Sequence, residues 1–307
     1  DLLNAIQALS QLSYSPSARR YIAKKQPLCQ QKNQKSFSIS PPRQRAAPPS
    51  PPARLPAGPF LPRPKAYAAA MNLLYLTDVF CPWCYGFAPV MRRLAAEHPE
   101  LPVRVLGGNL MDEPQTLTDM LEEYPTIREF FARLQETTGQ STEHFRQALE
   151  QAVAGTGPDL LMHSPAMNLP LAALRHLAPG HELEQMEAFQ MAFYAQGRDV
   201  MAAGEQAAIA AAWLPAGTPA DALTTAMADP AIRSAARHDA AEAEEVMDEF
   251  LLYPTLYLEH DGQRTLLARG YSDYASVRAK LDDALRGVRE SPVAQGAACG
   301  LDGKCCF

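Results

Sequence analysis

The chain has 307 residues, of which 47% are hydrophobic and 20% charged, and its net charge is -6. That is apolar material for one large core or two small ones, while the acidic balance gives nucleic acid no footing as a partner. No apolar run reaches the roughly 18 residues that a bilayer crossing needs, so no membrane span is expected.

The charge is unevenly spread. Residues 1–70 hold 11 Lys and Arg against a single acid, Asp1, together with 12 of the 27 prolines. The rest of the chain holds 17 basic and 33 acidic residues. From Ser40 to Lys65 the segment is Pro, Ala, Arg and Ser without a period, a composition that favours extended, hydrated chain. Three readings fit residues 1–70: sequence upstream of a true start at Met71, an organellar transit peptide, or a disordered basic tail. The first is preferred because Met71 stands directly before the first strand, and it implies a reducing cytoplasm; the second implies an organelle reached after cleavage. The start lacks the apolar h-region of a secretory signal.

From Met71 the elements follow in order. Met71–Leu76 reads as a strand and Pro82–Glu97 as an amphipathic helix, with Phe87, Val90, Met91 and Leu94 on one side. Leu101–Leu106 reads as a second strand, completing a βαβ unit. Gly107 and Gly108 follow, either a turn or a close approach of backbone to the site. A helical stretch runs from about Thr116 to Glu249, divided by Pro158, Pro165, Pro170, Pro179, Pro215, Pro219 and Pro230. Ala207–Leu214 within it reads as buried helix. Phe189, Met191, Phe193 and Tyr194 fit either a groove or, more simply, the core. Strand alternation returns at Thr255–Glu259 and Thr265–Ala268 around a turn at His260-Asp261-Gly262, and a last helix spans about Asp273 to Arg286.

The most informative segment is Thr77-Asp78-Val79-Phe80-Cys81-Pro82-Trp83-Cys84, at the first strand-to-helix junction. Unpaired N–H groups and the positive dipole end at a helix start stabilise a thiolate. In such motifs the thiol pKa falls to about 3.5–7.5 from about 8.5. Cys81 reads as the attacking thiol and Cys84 as the resolving one. Pro82 suits the first helical position, and Trp83 adds bulk without charge. Asp78 is a candidate proton acceptor for Cys84; the commoner role of an Asp at a strand end is to hydrogen-bond the next turn. The seven histidines show no metal-type pairing.

The tail places Cys299, Cys305 and Cys306 among glycines. A redox relay to the Cys81–Cys84 pair, with Cys299 pairing Cys305 or Cys306, and an inert tail are the two main readings. A soft-metal site is the weakest, since adjacent cysteines rarely give tetrahedral geometry. No metal is expected in the protein.

Phe80-Cys81-Pro82-Trp83-Cys84-Tyr85-Gly86-Phe87, the helical insertion and Tyr253-Pro254-Thr255-Leu256-Tyr257-Leu258 resemble the DsbA-like thiol–disulfide oxidoreductases. The resemblance is greatest to the bacterial-type branch of protein-disulfide isomerases, whose motif is Cys-x-Trp-Cys-[Trp/Tyr]-Gly-Phe. It covers residues 71 to 287 and does not extend to the basic leader. It implies an α/β thioredoxin-like fold with a large α-helical domain inserted between βαβ and ββα halves. The domain division is then 1–70 leader, 71–115 with 250–287 thioredoxin-like, 116–249 helical insertion and 288–307 tail. The resemblance further implies that Pro254 is cis and faces the dithiol, with Tyr253 and Thr255 beside it and the backbone of Tyr253 open to a substrate chain. No bound cofactor is implied beyond the redox-active Cys81–Cys84 disulfide; glutathione is a candidate co-substrate. The partners would be protein or small-molecule thiols and disulfides, and the oligomeric state is open. A glutathione-dependent transferase or isomerase of the kappa type is the alternative on the same architecture. It needs one nucleophile and no resolving thiol, so the intact pair weighs against it. A non-enzymatic metal-binding or adaptor protein is a third reading, and Pro82 and Pro254 weigh against that.

Overall fold

The computed structural model describes residues 71–248 and 251–290, with side chains to residue 287. Expectations for residues 1–70 and for the cysteine tail lie outside the described residues.

Four strands form the main sheet: β1 (Asn72–Thr77), β2 (Val103–Gly107), β5 (Thr255–His260) and β6 (Gln263–Arg269), in the order β2-β1-β5-β6. β1 runs parallel to β2, with Tyr75 opposite Val105. It runs antiparallel to β5, with Tyr75 opposite Leu256. The β1–β2 crossover is α1 (Pro82–Glu97), and α10 (Tyr274–Glu290) follows β6. The arrangement is β-α-β and β-β-α, and between the halves lie α2 (Leu117–Glu123), α3 (Ile127–Thr138), α4 (Glu143–Val153), α5 (Ser164–Leu177), α6 (Glu182–Gln190), α7 (Ala203–Ala210), α8 (Ala222–Ala228) and α9 (Pro230–Met247). This is the thioredoxin-like fold with a helical insertion.

Strand alternation divides the core. Leu73 and Tyr75 join a cluster with Phe87, Val90, Met91 and Leu94 of α1 and Val277 and Leu281 of α10. Leu74 and Leu76 join a second cluster with Leu106, Tyr253, Tyr257 and both cysteines, closed by Ala243 and Met247 of α9. The half-buried Arg104 of β2 ties to α9 by a two-pronged ion pair with Glu242, so the helix is fastened to the sheet.

Several readings from sequence need correction. Pro170 does not divide two helices; it lies buried inside α5. A proline in a helix leaves the carbonyl four residues back without its partner, and here that is on the half-buried Ala166. Pro89 does the same inside α1, and the freed Tyr85 carbonyl accepts a hydrogen bond from the Gln140 side chain at 3.2 Å. Ala207–Leu214 is not one buried helix: α7 ends at Ala210, and Ala211 and Ala212 are exposed. A two-stranded ribbon, β3 (Gln115–Thr116) with β4 (Leu161–Met162), lies in the stretch read as helical. Phe189, Phe193 and Tyr194 are core residues, and Met191 packs against that core. Met191–Ala195 forms one turn of π-helix after α6. No described helix is long and apolar enough to cross a membrane.

Candidate active site

Cys81 is the N-cap of α1 and Pro82 opens the helix. The cap residue keeps an extended backbone (φ -89°, ψ 110°), so its side chain turns back over the first turn and its Sγ accepts the Cys84 N–H at 3.2 Å. The same N–H also meets the Cys81 carbonyl at 3.0 Å. Cys84 lies one turn on, and both thiols are free and buried. Trp83 leans outward from the pair onto Phe130 and Tyr271, with centroids at 5.7 and 5.5 Å.

The expected fall in the Cys81 pKa is not what the geometry gives. Burial pushes the Cys81 thiol well up, and the charges of Cys84 and Asp78 add to it, while the Cys84 N–H pulls it down. Cys81 is 2% exposed. Loss of hydration disfavours the anion more than one helix-start N–H favours it. The largest influences on the thiol include no cation.

Asp78 hydrogen-bonds the next turn, the commoner of its two expected roles. Its Oδ1 accepts the Phe80 N–H at 2.8 Å and the Ser164 hydroxyl at 3.0 Å; its Oδ2 accepts the Leu110 N–H at 3.0 Å. The carboxyl thus fastens the cysteine loop to the loop after β2 and to the start of α5. Burial nevertheless pushes its pKa up to about 6, against those three hydrogen bonds.

The Tyr253–Pro254 peptide is cis. Tyr253 and Thr255 are buried, and the Thr255 hydroxyl donates to the Leu252 carbonyl at 2.5 Å. The Tyr253 ring lies against Gly108, and a Cβ there would stand 2.2 Å from Tyr253 Cζ. A Cβ on Gly107 would meet Asn168 Oδ1 at 2.3 Å. Of the two readings for these glycines, close approach is the one realised. Asn168 Nδ2 donates to the Gly108 carbonyl at 2.9 Å, which holds the loop in place.

Sequence reasoning missed Tyr75, Leu110, Ser164, Asn168 and Gln190 at this site. Gln190 is buried where α6 meets the π-turn, and its amide donates to the Asp78 carbonyl at 3.0 Å and to the Thr77 hydroxyl at 3.3 Å. A lone tyrosine in a leucine strand was the one local signal; the others arrive by tertiary packing. Among the described residues no cluster of three or more His, Cys, Asp or Glu is placed to hold a metal ion. Cys299, Cys305 and Cys306 lie outside the described residues.

Comparison with known proteins agrees with this geometry. A family model described as a DSBA-like thioredoxin domain matches residues 73–247. Among curated protein sequences, none matches the chain. A solved protein of Nitrosomonas europaea assigned as a protein disulfide isomerase superposes with a TM-score of 0.59 at 23% identity, covering 71% of this chain and 98% of its own. The cytosolic disulfide reductase DsbM of Pseudomonas aeruginosa gives 0.54 at 24%, covering 70% of this chain and 98% of its own. The same reductase solved with GSH gives 0.55 at 23%, covering 70% and 99%. At these identities the likeness to solved structures speaks for the fold.

Proposed function

We propose, from the premise that this chain belongs to the DSBA-like thioredoxin domain family, that it is a dithiol reductant of disulfides acting through Cys81 and Cys84. The observation that carries the reading is the N-cap position of Cys81, with its sulfur on the Cys84 N–H at the start of α1.

The chemistry balances in two exchanges. Cys81 Sγ, as thiolate, attacks one sulfur of the substrate; the S–S bond breaks, and the departing sulfur leaves with the electron pair and takes up a proton. Cys84 then loses its proton, for which the Asp78 carboxylate is the acceptor, and its sulfur attacks Cys81 Sγ. The Cys81–Cys84 disulfide forms, and the second substrate sulfur leaves as thiolate. Two electrons have passed from the enzyme to the substrate. Tyr253, the residue before the cis Pro254, shares the apolar cluster of both cysteines, and in this reading its backbone offers strand-like pairing to a protein substrate.

The surroundings of Cys81 support the reducing direction. Strong oxidants of this chemistry owe their potential to a stabilised reduced form. Here burial and a carboxylate disfavour the Cys81 thiolate instead. Recovery of the dithiol requires an external thiol, and we assign that part to glutathione, at the cost of two glutathione molecules oxidised per cycle. The setting that suits such a cycle is the cytoplasm, where thiols are kept reduced. An organelle reached after removal of residues 1–70 is the other setting compatible with it.

The test is equilibration with glutathione buffers, thiol trapping and mass measurement on the full chain, with Cys81→Ser and Cys84→Ser alongside. A two-electron transition lost in both variants, with Cys84→Ser held as a mixed disulfide on Cys81, is the expected result. Activity with glutathione that survives Cys84→Ser would instead favour a transferase of the kappa type.

A further inference from the structure

Ser164 opens α5, directly before Pro165. A serine in front of a first-turn proline ordinarily caps its own helix. Here the cap position falls on His163, and the Ser164 hydroxyl makes both its hydrogen bonds outside α5. It accepts the Met111 N–H at 2.9 Å and donates to Asp78 Oδ1 at 3.0 Å. The Ser164 N–H donates in turn to the Met111 carbonyl at 2.8 Å. Ser164 is 1% exposed, so these bonds are shielded from solvent. Among the described residues it is the one side chain that hydrogen-bonds the Asp78 carboxyl; the other two donors are the backbone N–H groups of Phe80 and Leu110.

The contacts of Asp78 lead to the dithiol. Its carbonyl accepts the Cys81 N–H at 3.3 Å. Leu110, whose N–H Oδ2 holds, shares the apolar cluster of both cysteines, and Met111 packs against that cluster. The titratable groups facing Asp78 are Cys81 from the cap of α1, Tyr194 from the π-turn and Tyr253 from the residue before Pro254. None of them supplies a positive charge, so hydrogen bonds are what favour the carboxylate against burial. The Gln190 amide meets the Asp78 carbonyl and not the carboxyl. The two carboxyl oxygens are not equivalent: Oδ1 accepts two donors, Phe80 and Ser164, and Oδ2 accepts one, Leu110. Each oxygen of a carboxylate has two lone pairs, so the remaining one is on Oδ2.

We infer that Ser164 is a positioning residue for the proton transfer that frees the resolving thiol: its hydroxyl occupies Asp78 Oδ1, keeps the carboxyl ionised and leaves Oδ2 to take the proton of Cys84. The inference rests on the dithiol reading and adds to it a residue of the helical insertion. The proton passes from Cys84 Sγ to Asp78 Oδ2, and Cys84 Sγ bonds to Cys81 Sγ. The bond from Cys81 to the substrate sulfur breaks, and that sulfur departs with the electron pair. The Ser164 proton stays on its own oxygen and points to Oδ1 before and after the transfer.

The test is Ser164→Ala in the full chain, with Ser164→Thr as the variant that keeps the hydroxyl. Reduced protein is mixed with the symmetrical disulfide of thionitrobenzoate, and colour is followed from about pH 5 to about pH 8. The first coloured thiol marks loading of Cys81, and the second marks its displacement by Cys84. In the wild type the rate of the second step should rise through about pH 6. Loss of one hydrogen bond to an anion should move that rise upward by about one pH unit. Displacement in Ser164→Ala is then about fivefold slower at about pH 6 and nearly equal at about pH 8, and Ser164→Thr restores the wild-type midpoint. Should Ser164→Ala fail to fold, Ser164→Gly, which also lacks the hydroxyl, must show the same shift. A loop merely loosened would slow displacement by one factor at every pH. That result, or an unmoved midpoint, overturns the inference and leaves the dithiol reading intact. A second coloured thiol that still appears in Cys84→Ser overturns the dithiol reading itself.

Discussion

The ring of Tyr253 fills the space that a side chain at residue 108 would need, with Cζ 2.2 Å from the position of a Cβ on Gly108. The loop after β2 and the residue before Pro254 are thus fitted to each other by the absence of one carbon. Neither can move without displacing the other, and Tyr253 shares the apolar cluster of both cysteines.

Gly108→Ala should therefore destabilise the protein by about 1–3 kcal/mol through overpacking and impair disulfide reduction more than its effect on stability accounts for. Gly217→Ala is the control. Gly217 has φ 85° and open space around it, so alanine there meets backbone strain alone, away from the dithiol. Urea midpoints and turnover of both variants check the contrast. Equal activity in the two would show that the fit of Tyr253 on Gly108 has no part in the reaction.

The reduction potential is expected to lie nearer to about -270 mV than to about -120 mV, the values that mark a reductant and a strong oxidant of this chemistry. The reason is the surroundings of Cys81, where burial and the Asp78 charge both work against the thiolate. A midpoint from glutathione equilibration as high as about -120 mV would reverse the direction of the reaction without touching the dithiol.

Asp78 gives the protein a defined pH response. Its carboxyl is pushed by burial from 3.8 up to about 6. A carboxyl raised in this way contributes stability that is complete below its unfolded value and is lost as pH rises through the folded one. Between those two pH values the wild type should lose stability relative to Asp78→Asn, by at most about 3 kcal/mol. The asparagine amide cannot accept the Leu110 N–H, so the variant starts from a lower level and its flatter slope is the signal. In the reaction, the same variant should slow resolution by Cys84 and abolish the rise in rate through about pH 6 that ionisation of Asp78 would give. Parallel stability slopes in the two proteins would mean that Asp78 does not titrate in this window.

How much of this was legible in the sequence depended on how local each signal was. Cys81, Pro82 and the start of α1 were readable because an N-cap and a first-turn proline act within four residues. The partners of Asp78 were not, since Leu110 and Ser164 lie 32 and 86 residues away and reach it through packing alone. Pro170 read as a helix breaker, yet its helix runs through, as α1 does past Pro89, because tertiary contacts outweigh one missing hydrogen bond. The β3–β4 ribbon has two residues per strand, too few to show a period. The thiolate expectation for Cys81 failed for a related reason: a helix start is written in the local sequence, whereas burial of the sulfur is not.

What buries that sulfur is the last prediction. Cys81 shares its apolar cluster with Ala243 and Met247 at the end of α9, with Val246 packed against it. That helix is anchored to β2 through Arg104 and Glu242 and to α5 through Arg175 and Asp239. A nucleophile 2% exposed must gain access to a disulfide through movement of this cover. Met247→Ala removes a side chain that is 1% exposed, should cost about 2–5 kcal/mol, and should raise the alkylation rate of Cys81 at fixed pH several-fold. Glu242→Gln loosens the anchor without opening a hole beside the sulfur, and should raise the same rate at a smaller cost in stability. If both variants are destabilised while Cys81 alkylates at the wild-type rate, α9 is not the barrier, and access runs instead along the face where Trp83 leans on Tyr271.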